Sequence, residues 1–180
     1  MNLDEKIISA LKDLNYEEAT EIQKKAIPVA LKKRDILAAA QSGTGKTAAF
    51  VLPILTELLE KKQANKSILR GLILVPTREL ASQIAKAVDD FSKYMEIESL
   101  AMVGGVSTKE QEKKIAKGID ILVATSGRLM EHIKNKTVDL SSVTTVVIDE
   151  VDTLLDMGFL EDIEKILPQV KKKRQIMMFS

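Results

Sequence analysis

At 180 residues, 45% of them hydrophobic, the chain has material for one well-cored domain and too little length for two large ones. It contains no cysteine, which excludes a disulfide framework and fits a cytoplasmic location; no apolar run reaches membrane-spanning length, and Met1 to Lys6 is not a signal peptide. A net charge of +1 excludes a globally basic body, so a nucleic acid must meet a local basic strip, and 3% aromatic content argues against a platform of stacked bases.

Two helical patterns open the chain, about Leu3 to Leu14 and Thr20 to Lys33, with Thr20 placed as the N-cap of the second. They form a helical region over residues 1–34 ahead of a core over 35–180. Asp35-Ile36-Leu37-Ala38-Ala39 is an apolar run suited to a buried strand. Beyond the segment Ala40 to Thr47, the residues Ala48, Ala49, Val51, Leu52, Leu55, Leu58 and Leu59 recur at helical spacing as far as the polar stretch Glu60 to Ser67, and Pro53 predicts a kink. Further strands are expected at Gly71 to Val75, Leu100 to Val103, Ile119 to Ala124, Val143 to Ile148 and Gln175 to Phe179. Helical patterns separate them at Glu79 to Tyr94, Thr108 to Lys117, Gly127 to Ile133 and Leu160 to Val170. This alternation predicts an α/β fold, a mostly parallel sheet with helices on both faces. Ligands of such sheets gather at the carboxyl ends of the strands, here Gln41 to Thr47, Pro76 to Glu79, Gly104-Gly105, Thr125 to Arg128, Asp149-Glu150 and Ser180.

Two of these ends make a pair. Ala40-Gln41-Ser42-Gly43-Thr44-Gly45-Lys46-Thr47 is a phosphate-binding loop, or P-loop, without its usual leading Gly, and Val147-Ile148-Asp149-Glu150 is an apolar strand ending in adjacent carboxylates. Gly43 and Gly45 let successive backbone N–H groups turn toward phosphate oxygens. Lys46 reaches the β- and γ-phosphates, the Thr47 hydroxyl ligates Mg²⁺, and the helix beginning near Lys46 aims its positive end at the same anion. Asp149 suits Mg²⁺ held mostly through water, because this ion keeps its hydration shell and takes few carboxylates. Glu150 beside it is a candidate base for an attacking water, or a carboxylate answering a helix dipole.

Across nearly its whole length the chain resembles the first RecA-like domain of the DEAD-box ATP-dependent RNA helicases. Ala40 to Thr47 resembles motif I, Pro76 to Leu80 motif Ia, Gly104-Gly105 the GG element, Thr125 to Arg128 motif Ib, and Asp149-Glu150-Val151-Asp152 motif II. Asn15 to Gln23 resembles the adenine-selecting Q motif, and Ser180 would open motif III. Val151, Ser126, Asn15 and Ala19 depart from the family's usual Ala, Pro, Gly and Pro.

The resemblance implies a RecA-like ATP-binding domain, with a second RecA-like domain outside these 180 residues and little hydrolysis by this domain alone. ATP would be held by Tyr16, Gln23, Gln41, Ser42, Gly43, Thr44, Gly45, Lys46 and Thr47; Mg²⁺ by Thr47 and Asp149; and the chemistry by Lys46, Asp149 and Glu150. RNA would meet Pro76, Thr77, Arg78, Gly104, Gly105, Thr125, Gly127 and Arg128 through its backbone, while Asp152 and Ser180 would couple motif II to motif III. Residue chemistry leaves alternatives beside these roles. Gln23 suits a surface helix and Tyr16 a half-buried structural site, and Arg78 or Arg128 can pair with Glu79, Glu131 or another acid. A nucleotide-switched RNA clamp and a DNA translocase are the rival functions. His132, with no second His and no Cys, reads as a surface residue, Lys171 to Arg174 as a solvated loop, and Met177 and Met178 as strand core. The isolated domain is expected to be a monomer.

Overall fold

The computed structural model describes residues 3–41, 43–60 and 68–180. A six-stranded, wholly parallel sheet runs through it in the order β1-β6-β5-β2-β4-β3. The strands are β1 (Ile36–Ala38), β2 (Gly71–Val75), β3 (Ser99–Met102), β4 (Ile121–Thr125), β5 (Thr145–Ile148) and β6 (Gln175–Phe179). Side chains alternate across the sheet, as the strand repeat requires. Ile73, Val75, Val123, Val147, Met177 and Phe179 enter one core; Leu72, Leu74, Leu122, Val146 and Ile148 enter the other.

The first core is closed by α1 (Glu5–Asp13), α2 (Glu21–Leu31), α3 (Lys46–Glu60) and α4 (Arg78–Phe91). The second lies under α5 (Thr108–Lys117), α6 (Ser126–Lys134), α7 (Val151–Asp156) and α8 (Leu160–Ile166). α3 is buried on every side from Ala48 to Leu58 and continues through Pro53, as expected of a helix wedged between a sheet and other helices. Of the polar stretch predicted from Glu60 to Ser67, Glu60 is the last residue of α3 and 61–67 lie outside the described residues.

Three local outcomes differ from the sequence reading. β1 is an edge strand rather than a buried one: Leu37 is 80% exposed, because β6 pairs with β1 on one side only. The Leu160 to Val170 pattern divides into α8 and a 3₁₀ turn at Leu167–Gln169, where Pro168 cannot donate an N–H. α7 has no counterpart among the predicted helices. The departure at Asn15 has a backbone cause: it sits at φ 58°, closing α1 with Asn15 N on Lys12 O (3.0 Å) and Tyr16 N on Leu11 O (2.9 Å). This left-handed cap takes Gly or, at modest cost, Asn.

Candidate functional site

Because every strand is parallel, all six carboxyl ends reach one edge. β1 leads into the phosphate loop, which is anchored to β6 at its root: Ser180 N donates to Ala38 O and Ala40 N to Ser180 O, each at 3.0 Å. The loop then folds on itself, Thr44 Oγ1 donating to Gln41 O at 2.6 Å, and passes through Gly43 and Gly45 at φ 79° and 91° to enter α3 at Lys46. Ser42 lies outside the described residues. Lys46 and Thr47 therefore sit on the first turn of a 15-residue helix, the end that attracts anions.

Gln23 supports this loop from α2. Its Oε1 accepts from Thr20 N at 3.0 Å and its Nε2 donates to Gly45 O at 3.1 Å, in a side chain that is 4% exposed. A β-carbon at Gly45 would collide with that same Nε2, so Gly45 serves the approach of α2 as well as its own turn. Thr20 caps α2 as expected. Tyr16 is about half exposed, its ring edge-to-face with Phe91 at 5.6 Å between centroids.

Asp149 follows β5 and is 3% exposed. Burial pushes its carboxyl above the ordinary value of 3.8, against the pull of Lys46 and of the Glu150 N–H, which donates to Oδ1 at 3.0 Å. Glu150 then takes φ 51° and ψ 50°, a left-handed conformation that costs a non-Gly residue about 1–2 kcal/mol. That bend turns the chain from strand to α7. Asp152, on the first turn of α7, is held below the ordinary carboxylate value by the Thr153 N–H and then by the Ser180 hydroxyl, which follows β6. Among the described residues no three His, Cys, Asp or Glu side chains gather to hold a metal. One buried, under-compensated carboxylate within reach of the Lys46 charge, whose helix also begins with the Thr47 hydroxyl, nonetheless fits Mg²⁺, which takes most of its ligands from phosphate and water.

At the ends of β2, β4 and β3 a cleft of about 560 Å³ opens, with Pro76, Thr77, Arg78, Gly104, Thr125, Gly127 and Arg128 among its walls, beside Glu79, Glu131, Met157 and Phe159. Thr77 caps α4, its Oγ1 accepting from Leu80 N at 3.2 Å, which leaves the hydroxyl proton to donate outward. The Arg78 guanidinium lies against Gly104 and Gly105, where added β-carbons would stand 3.2 Å from Nη2 and 2.6 Å from Nη1.

Arg128 is committed to the protein. It donates from Nε to Gln111 Oε1 (3.0 Å), from Nη2 to Val106 O (2.7 Å) and Thr108 Oγ1 (2.8 Å), and from Nη1 to Glu131 Oε2 (2.6 Å). Of the two candidate arginines it is the one found in an ion pair. Gln111 extends the network inward, its Nε2 donating to Val103 O and its Oε1 accepting from His132 Nε2, both at 3.0 Å. His132 is fully buried, not a surface residue. Its Nδ1 lies 2.7 Å from Thr137 Oγ1, and burial followed by the Arg128 charge holds its pKa below 6.5, so the neutral ring carries its proton on Nε2. Gln111 and His132 thus brace the loop that carries Gly104 and Gly105. Neither is marked by a sequence signal, since their partners lie 5 to 21 residues away and the pairing that joins the two spans 21.

A parallel sheet whose edge pairs a phosphate loop at a helix N-terminus with a buried aspartate across from its lysine defines a RecA-like P-loop domain. The sequence profile of the DEAD/DEAH box helicases matches residues 20–180, and the chain belongs to that family. It is 42% identical over 181 residues to the probable ATP-dependent RNA helicase ddx27 of Dictyostelium discoideum, covering 100% of this chain and 23% of that protein. It is 41% identical over 180 residues to the DEAD-box ATP-dependent RNA helicase CshA of Bacillus cereus and to the ATP-dependent RNA helicase SrmB of Escherichia coli, spanning 34% and 40% of their lengths. The crystal structure of a hypothetical ATP-dependent RNA helicase from Sulfolobus tokodaii superposes with a TM-score of 0.88 at 37% identity, over 100% of this chain and 50% of that one. The chain thus spans half or less of each of these relatives.

Proposed function

We propose that this domain binds ATP–Mg²⁺ and the backbone of RNA, and that together with a second RecA-like domain it couples ATP hydrolysis to RNA unwinding or remodelling. The observation that carries the reading is the buried Asp149, set against Lys46 and followed by the strained Glu150, on the same sheet edge as the Thr77–Arg78–Gly104 cleft. Lys46 and the N–H groups of Gly43 to Thr47 hold the phosphates; Thr47 and Asp149 would hold Mg²⁺, which would supply charge neutralisation at the phosphates. Glu150 orients the attacking water and accepts its proton. Gln23 keeps one N–H and one lone pair beyond its two bonds, which suits the donor–acceptor edge of adenine. Thr77, Arg78 and the Gly104-Gly105 amides take phosphates, and Arg128 contributes by holding the shape of that wall. The Asp152–Ser180 contact is the route by which motif II senses the β6 end. We place the protein in the cytoplasm and the isolated domain as a monomer; among the described residues no helix is long and apolar enough to cross a membrane.

The test is RNA-stimulated ATPase activity of the full-length protein, with DNA as competitor. Glu150→Gln should keep ATP and RNA binding while turnover falls by about 10²–10⁴. Lys46→Ala should instead weaken triphosphate binding itself. Parent-rate hydrolysis by Glu150→Gln removes the assigned base, and equal stimulation by DNA removes the RNA assignment.

A further inference from the structure

The cleft has an apolar side that phosphate binding does not use. α7 ends in a tight reversal, with Gly158 N on Leu155 O and Phe159 N on Leu154 O, each at 3.0 Å, and Gly158 at φ 81°. Both apolar neighbours of Gly158 border the cleft, but they are unequally exposed. Phe159 packs, half-buried, against the core that contains Leu154. Met157 is left 52% exposed, lining the cleft that Thr77, Arg78 and Gly104 also line.

We propose that Met157 is an RNA-contacting residue, packing on the ribose and base faces of the strand whose phosphates lie along Thr77, Arg78 and Gly104. This rests on the RNA reading above. A single strand presents a charged edge of phosphates and an apolar edge of sugars and bases, and a groove with donors on one side and a thioether on another matches both at once. A flexible thioether has no hydrogen-bonding edge to read and adapts to any base, so it adds affinity without sequence preference. A protein partner is the competing occupant, because Leu155 and Leu160 are also exposed on this stretch, at 46% and 49%. Neither lines the cleft, which is why RNA is favoured for Met157 and why the two leucines serve as controls.

The test is a fluorescence anisotropy titration of labelled, mixed-sequence single-stranded RNA against the full-length protein at several salt concentrations. Met157→Ser should weaken binding about tenfold without changing the slope of log affinity against log salt, because the lost contact carries no charge. Met157→Leu should restore most of the affinity, Leu155→Ser and Leu160→Ser should match the parent, and Arg78→Ala should flatten the slope by about 0.7. Parent affinity for Met157→Ser alongside a flattened slope for Arg78→Ala overturns the Met157 contact alone. Equal weakening by Met157→Ser, Leu155→Ser and Leu160→Ser overturns it, because two residues outside the cleft would then matter as much as Met157. If the parent shows no salt-dependent RNA binding, the RNA reading and the Met157 contact fall together.

Discussion

The nucleotide half of the sheet edge, at β1, β6 and β5, and the cleft half, at β2, β4 and β3, differ in how far their polar groups are already satisfied. In the nucleotide half Asp149 is buried with too little compensation to hold its carboxyl at the ordinary value, and Glu150 occupies a left-handed conformation. In the cleft half Arg128 has four of its five N–H groups engaged, and Gln111 and His132 are bonded at both ends. One half keeps backbone strain and an under-compensated charge. In the other the Arg128 network is largely closed, and Ser126 Oγ is the buried polar atom there left without a partner among the described residues. Sites that form their interactions with a transiting ligand are expected to hold such residual stress, whereas a rail for a repetitive backbone needs a fixed shape.

The largest expected break of this contrast is Arg128→Ala. Removing the guanidinium strands Val106 O and part of the Gln111 network, so unfolding free energy in urea should fall by about 3 kcal/mol. Arg128→Lys should recover little, because an ammonium cannot reproduce the fork. Unchanged stability with a large loss of RNA affinity would mean that Arg128 works on RNA directly.

Asp149→Asn should act in the opposite direction. The folded chain holds the Asp149 proton more tightly than the unfolded one, so the stability this group contributes declines as pH rises through that range and stays low at neutral pH. The variant should therefore melt higher than the parent at pH 7, and the gap should close as pH drops to 3.8 and below. A lower melting temperature at pH 7 would show that Lys46 compensates the carboxylate fully. The smallest effect concerns the neighbour: Glu150→Gly relieves the left-handed backbone and should gain about 1 kcal/mol, less the extra freedom of Gly in the unfolded chain, read as a calorimetric Tm shift. No gain would mean that contacts of the Glu150 side chain offset its strain.

The strands, most helices and the phosphate loop were legible because their signals are local: an apolar run, a 3.6-residue repeat, a glycine pair before Lys-Thr. α7 was not, since six residues after two carboxylates are too few to show a repeat. Leu37 looked buried because sequence does not say which strand ends a sheet. His132 looked exposed because polarity on a helix usually means solvent. Its burial depends on Gln111 and Thr137, whose hydrogen bonds replace water's and which periodicity cannot bring together. Arg128 was legible as a residue of interest, and its ion pair with Glu131 is a local one; its commitment to Val106 O, 22 residues away, is tertiary.

The attachment of β1 sets an order of events during synthesis. Among the described residues β1 pairs with β6 and with no other strand, and its approach is clamped by Gln175 Nε2 on Arg34 O (2.7 Å) and Ile176 N on Asp35 Oδ1 (2.7 Å), partners 141 residues apart. At about 5–20 residues per second, a ribosome delivers the strand that anchors the phosphate loop roughly 7–28 s after the loop itself. Through that interval the loop can lean on Gln23 of α2 through Gly45 O but lacks its two backbone bonds to Ser180.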